Sequence, residues 1–301
     1  MHVSVSRHDQ ICGCILGGAL GDAWGRPWEG LAPNQPFEIP QNTEISDDTQ
    51  LTLATCESIL ESGGIRPDHL ASKFAEWYDA GRITGIGAST LKAMRDLSAG
   101  THWALAGSRG EYAAGNGAAM RIAPLAFLLD PESRSDRTLI HDVCRITHHN
   151  DEAYAGALAV IVAVRTALKG SASSESSFLE AASRAVPDSA VKDRINELLS
   201  CNLSEEALPS RFGTSGWVVD SVPLALYCAQ SILRNMPLAS VLAQAIELGG
   251  DTDTIASIAG QIAGTAVGFD AEHWQHFSRI PPTEDVTAIA TGFANFVISQ
   301  K

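Results

Sequence analysis

Two short stretches gather oxygen-bearing side chains where helices are predicted to begin. In GGDTDTIA (249–256), Asp251 and Asp253 flank Thr252, and Thr254 follows; in ISDDTQLTL (45–53), Ser46 precedes Asp47, Asp48 and Thr49. Helix capping explains a single aspartate at such a place, because a carboxylate there accepts from orphan N–H groups and meets the positive end of the macrodipole. Two clusters together hold four carboxylates and several hydroxyls, with no His or Cys among them. If they shared one cleft the carboxylates would repel one another. A hard divalent cation, Mg²⁺ or Mn²⁺ before Ca²⁺, would relieve that repulsion. An EF-hand loop does not fit, since Ile255 and Ala256 stand where it needs a ligand and its turn glycine. Whether the two clusters meet is a matter of tertiary structure.

A third stretch, GEYAAGNGAAMR (110–121), sets glycines on both sides of Asn116 ahead of a helix expected from about residue 117. Gly115, Asn116 and Gly117 could turn successive N–H groups one way, forming an anion nest against a helix N-terminus that suits a diphosphate. A plain Asn N-cap is the competing reading. Arg121 is either a phosphate ligand or a structural arginine one turn into that helix. Glu29, seven residues after Asp22, sits in a Pro/Trp loop and reads as solvated. His148 and His149 in ITHHN, and Trp217 after Ser215-Gly216, read equally well as packed residues.

The elements that must position these groups are helical. Apolar periodicity predicts helices near 9–24, 47–62, 68–80, 86–98, 117–129, 136–145, 151–169, 175–185, 188–200, 218–234, 238–247, 252–268, 271–277 and 284–299. No run of β-branched residues bounded by turns recurs, so no sheet is expected. The polar stretch GSASSESS at 170–177 reads as a surface loop inside a single domain spanning 1–301. Gly13, Gly17, Gly21 and Gly25 recur every fourth residue, as do Ala256, Gly260, Gly264 and Gly268. Each glycine inside a helix costs about 0.8–1 kcal/mol relative to alanine. Spacing by four lines them along one face and permits close approach, so the two helices are expected to be central and packed against each other.

Composition narrows the partners. A net charge of −14 disfavours nucleic acid and anionic membranes. No apolar run nears ~18 residues and the N-terminus MHVSVSRHDQ lacks a leader's apolar core, so a cytoplasmic monomer is expected. The six cysteines form no C-x-x-C pair and read as buried thiols, not zinc ligands.

The chain resembles the ADP-ribosylglycohydrolase family, all-helical enzymes that include dinitrogenase-reductase-activating glycohydrolase and the ADP-ribosyl-acceptor hydrolases. Six blocks in order carry the likeness: GCILGGALGDAWGRPWEG, SDDTQ, GNGAAMRIAPLA, THHNDEAYAGA, DSVPLALYC and GGDTDTIASIAGQIAG. The resemblance implies an all-α, compact orthogonal multi-helix bundle with two Mg²⁺ or Mn²⁺ ions held by Ser46, Asp47, Asp48, Asp251, Asp253 and Thr254. Ser46 stands where the family usually has Thr, and the hydroxyl is kept. Carried over likewise, Gly115, Asn116 and Gly117 would hold an ADP-ribose diphosphate. His148 would bind substrate, and Ser215, Gly216 and Trp217 would line the adenosine end. Glu29 would sit beside the scissile ribose.

The reaction this implies is hydrolysis of the bond between ADP-ribose and an acceptor, a protein side chain or small molecule. Glu29, Asp48 or Asp253 would serve as base or stabilise the positive charge that develops at the anomeric carbon. DSVPLALYC looks more like the branch acting on serine-linked or other O-linked ADP-ribose than the arginine branch. The alternative from another class is a non-catalytic ADP-ribose binder or a crystallin-like structural member.

Overall fold

A computed structural model describes residues 5–169, 177–269 and 271–300. The helical periodicity becomes fourteen α-helices among these residues. They are α1 (Arg7–Gly25), α2 (Asp47–Ser62), α3 (Pro67–Asp79), α4 (Ala88–Ser98), α5 (Arg134–Arg145), α6 (Asp151–Leu168) and α7 (Phe178–Ala185), then α8 (Ala190–Ser200), α9 (Leu208–Phe212), α10 (Val218–Ala229), α11 (Leu238–Glu247), α12 (Thr252–Val267), α13 (Ala271–Phe277) and α14 (Thr283–Ser299). Several start as their sequence signals require. Ser6, Ser133 and Ser189 each accept a bond from the backbone N–H three residues on, and Ser177 does so within a capping box with Glu180.

The contact between α1 and α12 organises the rest. The two helices run antiparallel with their small residues interleaved: Gly13 faces Gly264, Gly17 faces Gly260, Gly21 faces Ala256, and Gly25 faces Thr252. A Cβ added at Gly21 would stand 2.2 Å from the Ala256 carbonyl oxygen, and one at Gly260 would stand 2.1 Å from the Gly17 carbonyl oxygen. No side chain but hydrogen fits such a gap, so the glycines trade helix propensity for backbone contact. The consequence is positional. The C-terminal end of α1 lies against the N-terminal end of α12, joining residues more than two hundred positions apart. One hydrophobic cluster then runs from Ile11 to Val297.

Three expectations about elements change. The helix expected over 117–129 is absent; the segment forms two 3₁₀ turns, Asn116–Ala118 and Ala123–Phe127. Pro124 lies inside that stretch, lacks an N–H and crowds the preceding turn, which ends an α-helix there. The helix expected to reach 234 stops at Ala229 and continues as a 3₁₀ turn, Gln230–Arg234. A small sheet does exist: β1 (Ser108–Arg109) pairs in parallel with β2 (His148–His149). Strands of two residues leave no alternation for a sequence reading to detect. The stretch 170–176 lies outside the described residues. Among the described residues no helix is long and apolar enough to cross a membrane, and all six cysteines are free thiols.

Candidate functional site

The α1–α12 contact delivers Asp22 and Asp253 to one place, and the start of α2 adds Asp48. Asp22, Asp48 and Asp253, all buried, each offer an oxygen within 4.8 Å of the others. Glu29, Asp251 and Asp253 form a second such group beside it. Asp253 belongs to both. Thr254 Oγ1 donates to Asp48 Oδ2 at 3.2 Å, a direct bond between the two acidic stretches. They meet, and capping does not account for Asp251, which precedes α12 and makes no capping bond.

The electrostatics of this cluster are one-sided. Burial raises the carboxyls of Asp47 and Asp48 well above the usual range, and neighbouring carboxylates add to it. Burial pushes Asp253 up to about 9, with Asp251, Asp22 and Glu29 contributing. Asp22 and Asp251 are raised as well, chiefly by burial, although bonds to them from Ser46 and Thr49, and from Asn116, oppose the shift. Among the described residues no Lys, Arg or His forms a salt bridge with any of these aspartates. Asp48 Oδ1 is buried without a hydrogen-bond partner. An orphaned carboxylate oxygen, a set of oxygen donors only, and missing counter-charge fit a hard divalent cation.

These acids, Asp22 apart, line a cleft of about 480 Å³, a size suited to a small-molecule ligand. Gly115, Asn116, Gly117, His148, Ser215 and Gly216 line it together with Glu29, Asp47, Asp48, Asp251, Asp253 and Thr254. Asn116 is not an N-cap; its Nδ2 donates to Asp251 Oδ2 at 2.5 Å and to Ser221 Oγ at 3.0 Å. Its backbone N–H donates to the Gly216 carbonyl at 3.0 Å, so this N–H is not free to meet an anion. The glycines serve close packing here, not a left-handed backbone. A Cβ at Gly117 would stand 2.8 Å from both His148 Cε1 and Thr90 Oγ1, and one at Gly115 would stand 3.1 Å from His148 Nε2.

Two expected members stand apart from the cleft. Ser46, outside the lining, caps α2, and its hydroxyl lies 2.6 Å from Asp22 Oδ1 and 3.3 Å from Asp48 Oδ2, between two members of the acidic group. Trp217 is neither a core residue nor in the cleft wall: it is 45% exposed, and its backbone pairs with Gly115. Arg121 is fully buried, donating to the Val143 carbonyl and to Thr147 Oγ1, and does not reach the cleft. Of the two neighbouring histidines, His148 faces the cleft, and His149 Nε2 bonds the Ala106 carbonyl at 2.7 Å.

Sequence reasoning missed Asp22 and Thr90. Asp22 accepts from the backbone N–H and hydroxyl of both Ser46 and Thr49, joining α1 to the start of α2. Its signal was available: a lone carboxylate amid the small apolar residues of GGALGDAWG demands buried partners. Thr90, whose hydroxyl stands beside Gly117, carries no such signal.

The family model for ADP-ribosylglycohydrolase matches residues 4–290. An uncharacterized protein of Archaeoglobus fulgidus is 32% identical over 281 residues, covering 87% of this chain and 88% of its own. ADP-ribosylhydrolase ARH3 of Homo sapiens is 29% identical, covering 87% of each chain. ADP-ribosyl-[dinitrogen reductase] glycohydrolase of Rhodospirillum rubrum is 27% identical, covering 88% of each. A solved structure described as an ADP-ribosylglycohydrolase-related protein complex superposes with a TM-score of 0.76 at 25% identity, over 97% of this chain and 99% of that one. With the paired acidic groups and the small-residue α1–α12 contact beside that match, the chain belongs to the ADP-ribosylglycohydrolase family.

Proposed function

We propose that this protein hydrolyses the glycosidic bond between ADP-ribose and an acceptor oxygen, releasing ADP-ribose, with Mg²⁺ or Mn²⁺ in the acidic cleft. The observation that carries the reading is Asp253, shared by two carboxylate groups of which Glu29, Asp48, Asp251 and Asp253 line a cleft. Ser46, Asp47, Asp48, Asp251, Asp253 and Thr254 would hold the ions, with Glu29 in the second carboxylate group. When bound, such ions chelate vicinal hydroxyls, neutralise charge and acidify water. The names of the human and bacterial relatives support the substrate class.

Bond breaking leaves positive charge on the anomeric carbon. The water oxygen adds to that carbon, the acceptor oxygen departs with the bonding pair, and one proton moves from the water to it. Glu29, exposed at the mouth beside Asp251 and Asp253, is placed to take the water proton or to stabilise the developing charge. His148 and the Gly115–Gly117 segment would orient the rest of the ligand. The acceptor is read as serine-like from DSVPLALYC, which lies within α10 and whose Ser221 accepts from Asn116 Nδ2.

Hydrolysis of serine-linked and arginine-linked ADP-ribosyl peptides, each with and without Mg²⁺, tests the reading. Release of ADP-ribose from the serine-linked peptide, dependent on the cation, is the expected result. Faster release from the arginine-linked peptide would overturn the acceptor. No release from any linkage, with ADP-ribose still bound, would make the protein a binder.

A further inference from the structure

Arg121 is a buried charge that the acidic cleft leaves unexplained. Its guanidinium is 0% exposed, packs 4.7 Å from the Phe74 ring, and leaves Nε and Nη1 without partners. A cation buried with so few acceptors is expensive to keep. Its Nη2 donates to Thr147 Oγ1 at 2.9 Å, and Thr147 Oγ1 lies 2.8 Å from His148 Nδ1. Beyond His148, the ring's Nε2 edge meets the Gly115–Gly117 segment in the cleft. Arg121 therefore reaches the cleft through two side chains, though it does not line it.

The hydrogens along this chain can be counted. Guanidinium has donors only, so Thr147 Oγ1 must accept from it. The threonine hydroxyl keeps one hydrogen of its own, and among the described residues His148 Nδ1 is the acceptor within reach of that hydroxyl. Thr147 is fully buried, where an undonated hydroxyl is penalised. The hydroxyl must donate to Nδ1, which leaves the ring proton on the other nitrogen. The backbone holds the relay still. Ser108 N–H donates to the Thr147 carbonyl at 3.1 Å, and Gly107 packs against the same carbonyl.

We infer that Arg121 and Thr147 are positioning residues that lock His148 in the tautomer with its proton on Nε2, so that this N–H donates to an acceptor oxygen of a ligand lying against Gly115 and Gly117. Burial, with Arg121 and His149 beside it, lowers the His148 pKa to about 3, so the donor is a neutral imidazole. An acceptor-only nitrogen at that edge would face a phosphate or ribose oxygen lone pair to lone pair. The naming of that oxygen rests on the proposed function; the tautomer does not.

Imidazole ¹⁵N spectra of the full-length protein decide the tautomer, with His148 assigned among the nine histidines by its loss in His148→Gln. The expected spectrum has an unprotonated Nδ1 and a protonated Nε2, unchanged from about pH 5 to about pH 8. A protonated Nδ1 on His148 in the wild-type protein overturns the inference, whatever the Thr147 variants do. Thr147→Val should mix the tautomers and weaken ADP-ribose binding on the order of tenfold, leaving Mg²⁺ affinity alone, and Thr147→Ser should restore both. A folded Thr147→Val with wild-type tautomer and affinity also overturns it. Wild-type protein that shows the expected tautomer yet binds no ADP-ribose would instead remove the proposed ligand and leave the relay standing.

Discussion

Asn116 donates from Nδ2 to Asp251 Oδ2 at 2.5 Å, joining the glycine-flanked wall of the cleft to its acidic wall across 135 residues. One side chain thereby orients a carboxylate of one wall and shapes the other. Asn116→Leu keeps the volume and removes the donor. It should weaken both Mg²⁺ and ADP-ribose binding, each by about 1–3 kcal/mol, the range for leaving a buried polar partner unsatisfied. Calorimetric titration of the two ligands checks this, and a change in only one would show that the walls act independently.

Asp253 and Glu29 should separate by role. Asp253→Asn removes the carboxylate common to both acidic groups, so Mg²⁺ affinity should fall at least ~100-fold, the upper end for losing a group that only supports a ligand. Turnover should fall with it. Glu29 belongs to one group and is exposed; Glu29→Gln should lower Mg²⁺ affinity less while kcat drops ~10²–10⁴-fold. Full turnover in Glu29→Gln would pass the base role to an aspartate.

Gly117→Val tests the glycine-flanked wall. Its Cβ would press on His148 Cε1 and Thr90 Oγ1 at 2.8 Å, displacing the imidazole toward the cleft. ADP-ribose affinity should fall ~10-fold or more, since overpacking typically stores 1–3 kcal/mol, while Mg²⁺ affinity holds. Unchanged ADP-ribose affinity in the folded variant would move the ligand elsewhere.

Cation removal should expose a decline of stability with rising pH. The folded-state carboxyls of Asp22, Asp47, Asp48, Asp251 and Asp253 are raised, by burial first. The native state then binds more protons than the unfolded chain, and stability declines as pH rises. For Asp253 the window runs from its ordinary 3.8 to about 9. In chelator the melting temperature should fall across this window; with Mg²⁺ the fall should be largely abolished. Identical melting curves with and without Mg²⁺ at pH near 8 would contradict a cation site.

Local features were legible in the sequence because they depend on near neighbours. Helix periodicity, serine caps and the every-fourth glycines of α1 and α12 need only 3.6-residue geometry. The glycine faces even foretold their mutual contact, since a stripe of small residues that costs helix propensity must meet a backbone. Pro124 could have warned against the helix at 117–129, but a short apolar run reads alike as α-helix or 3₁₀ turns. The residue types of the acidic clusters were equally visible. Their meeting was not, because a bond such as Thr254 to Asp48 spans 206 residues and is set by the antiparallel register of α1 on α12. The packing of α2 on α1 likewise made Asp22 a partner of Ser46, and the α1–α12 contact brought Glu29 within reach of Asp251. Sequence determined which groups could do chemistry; the packing of helices far apart in the chain decided which of them face one another, because ligation of one ion and hydrogen bonding need atoms within a few ångströms in space.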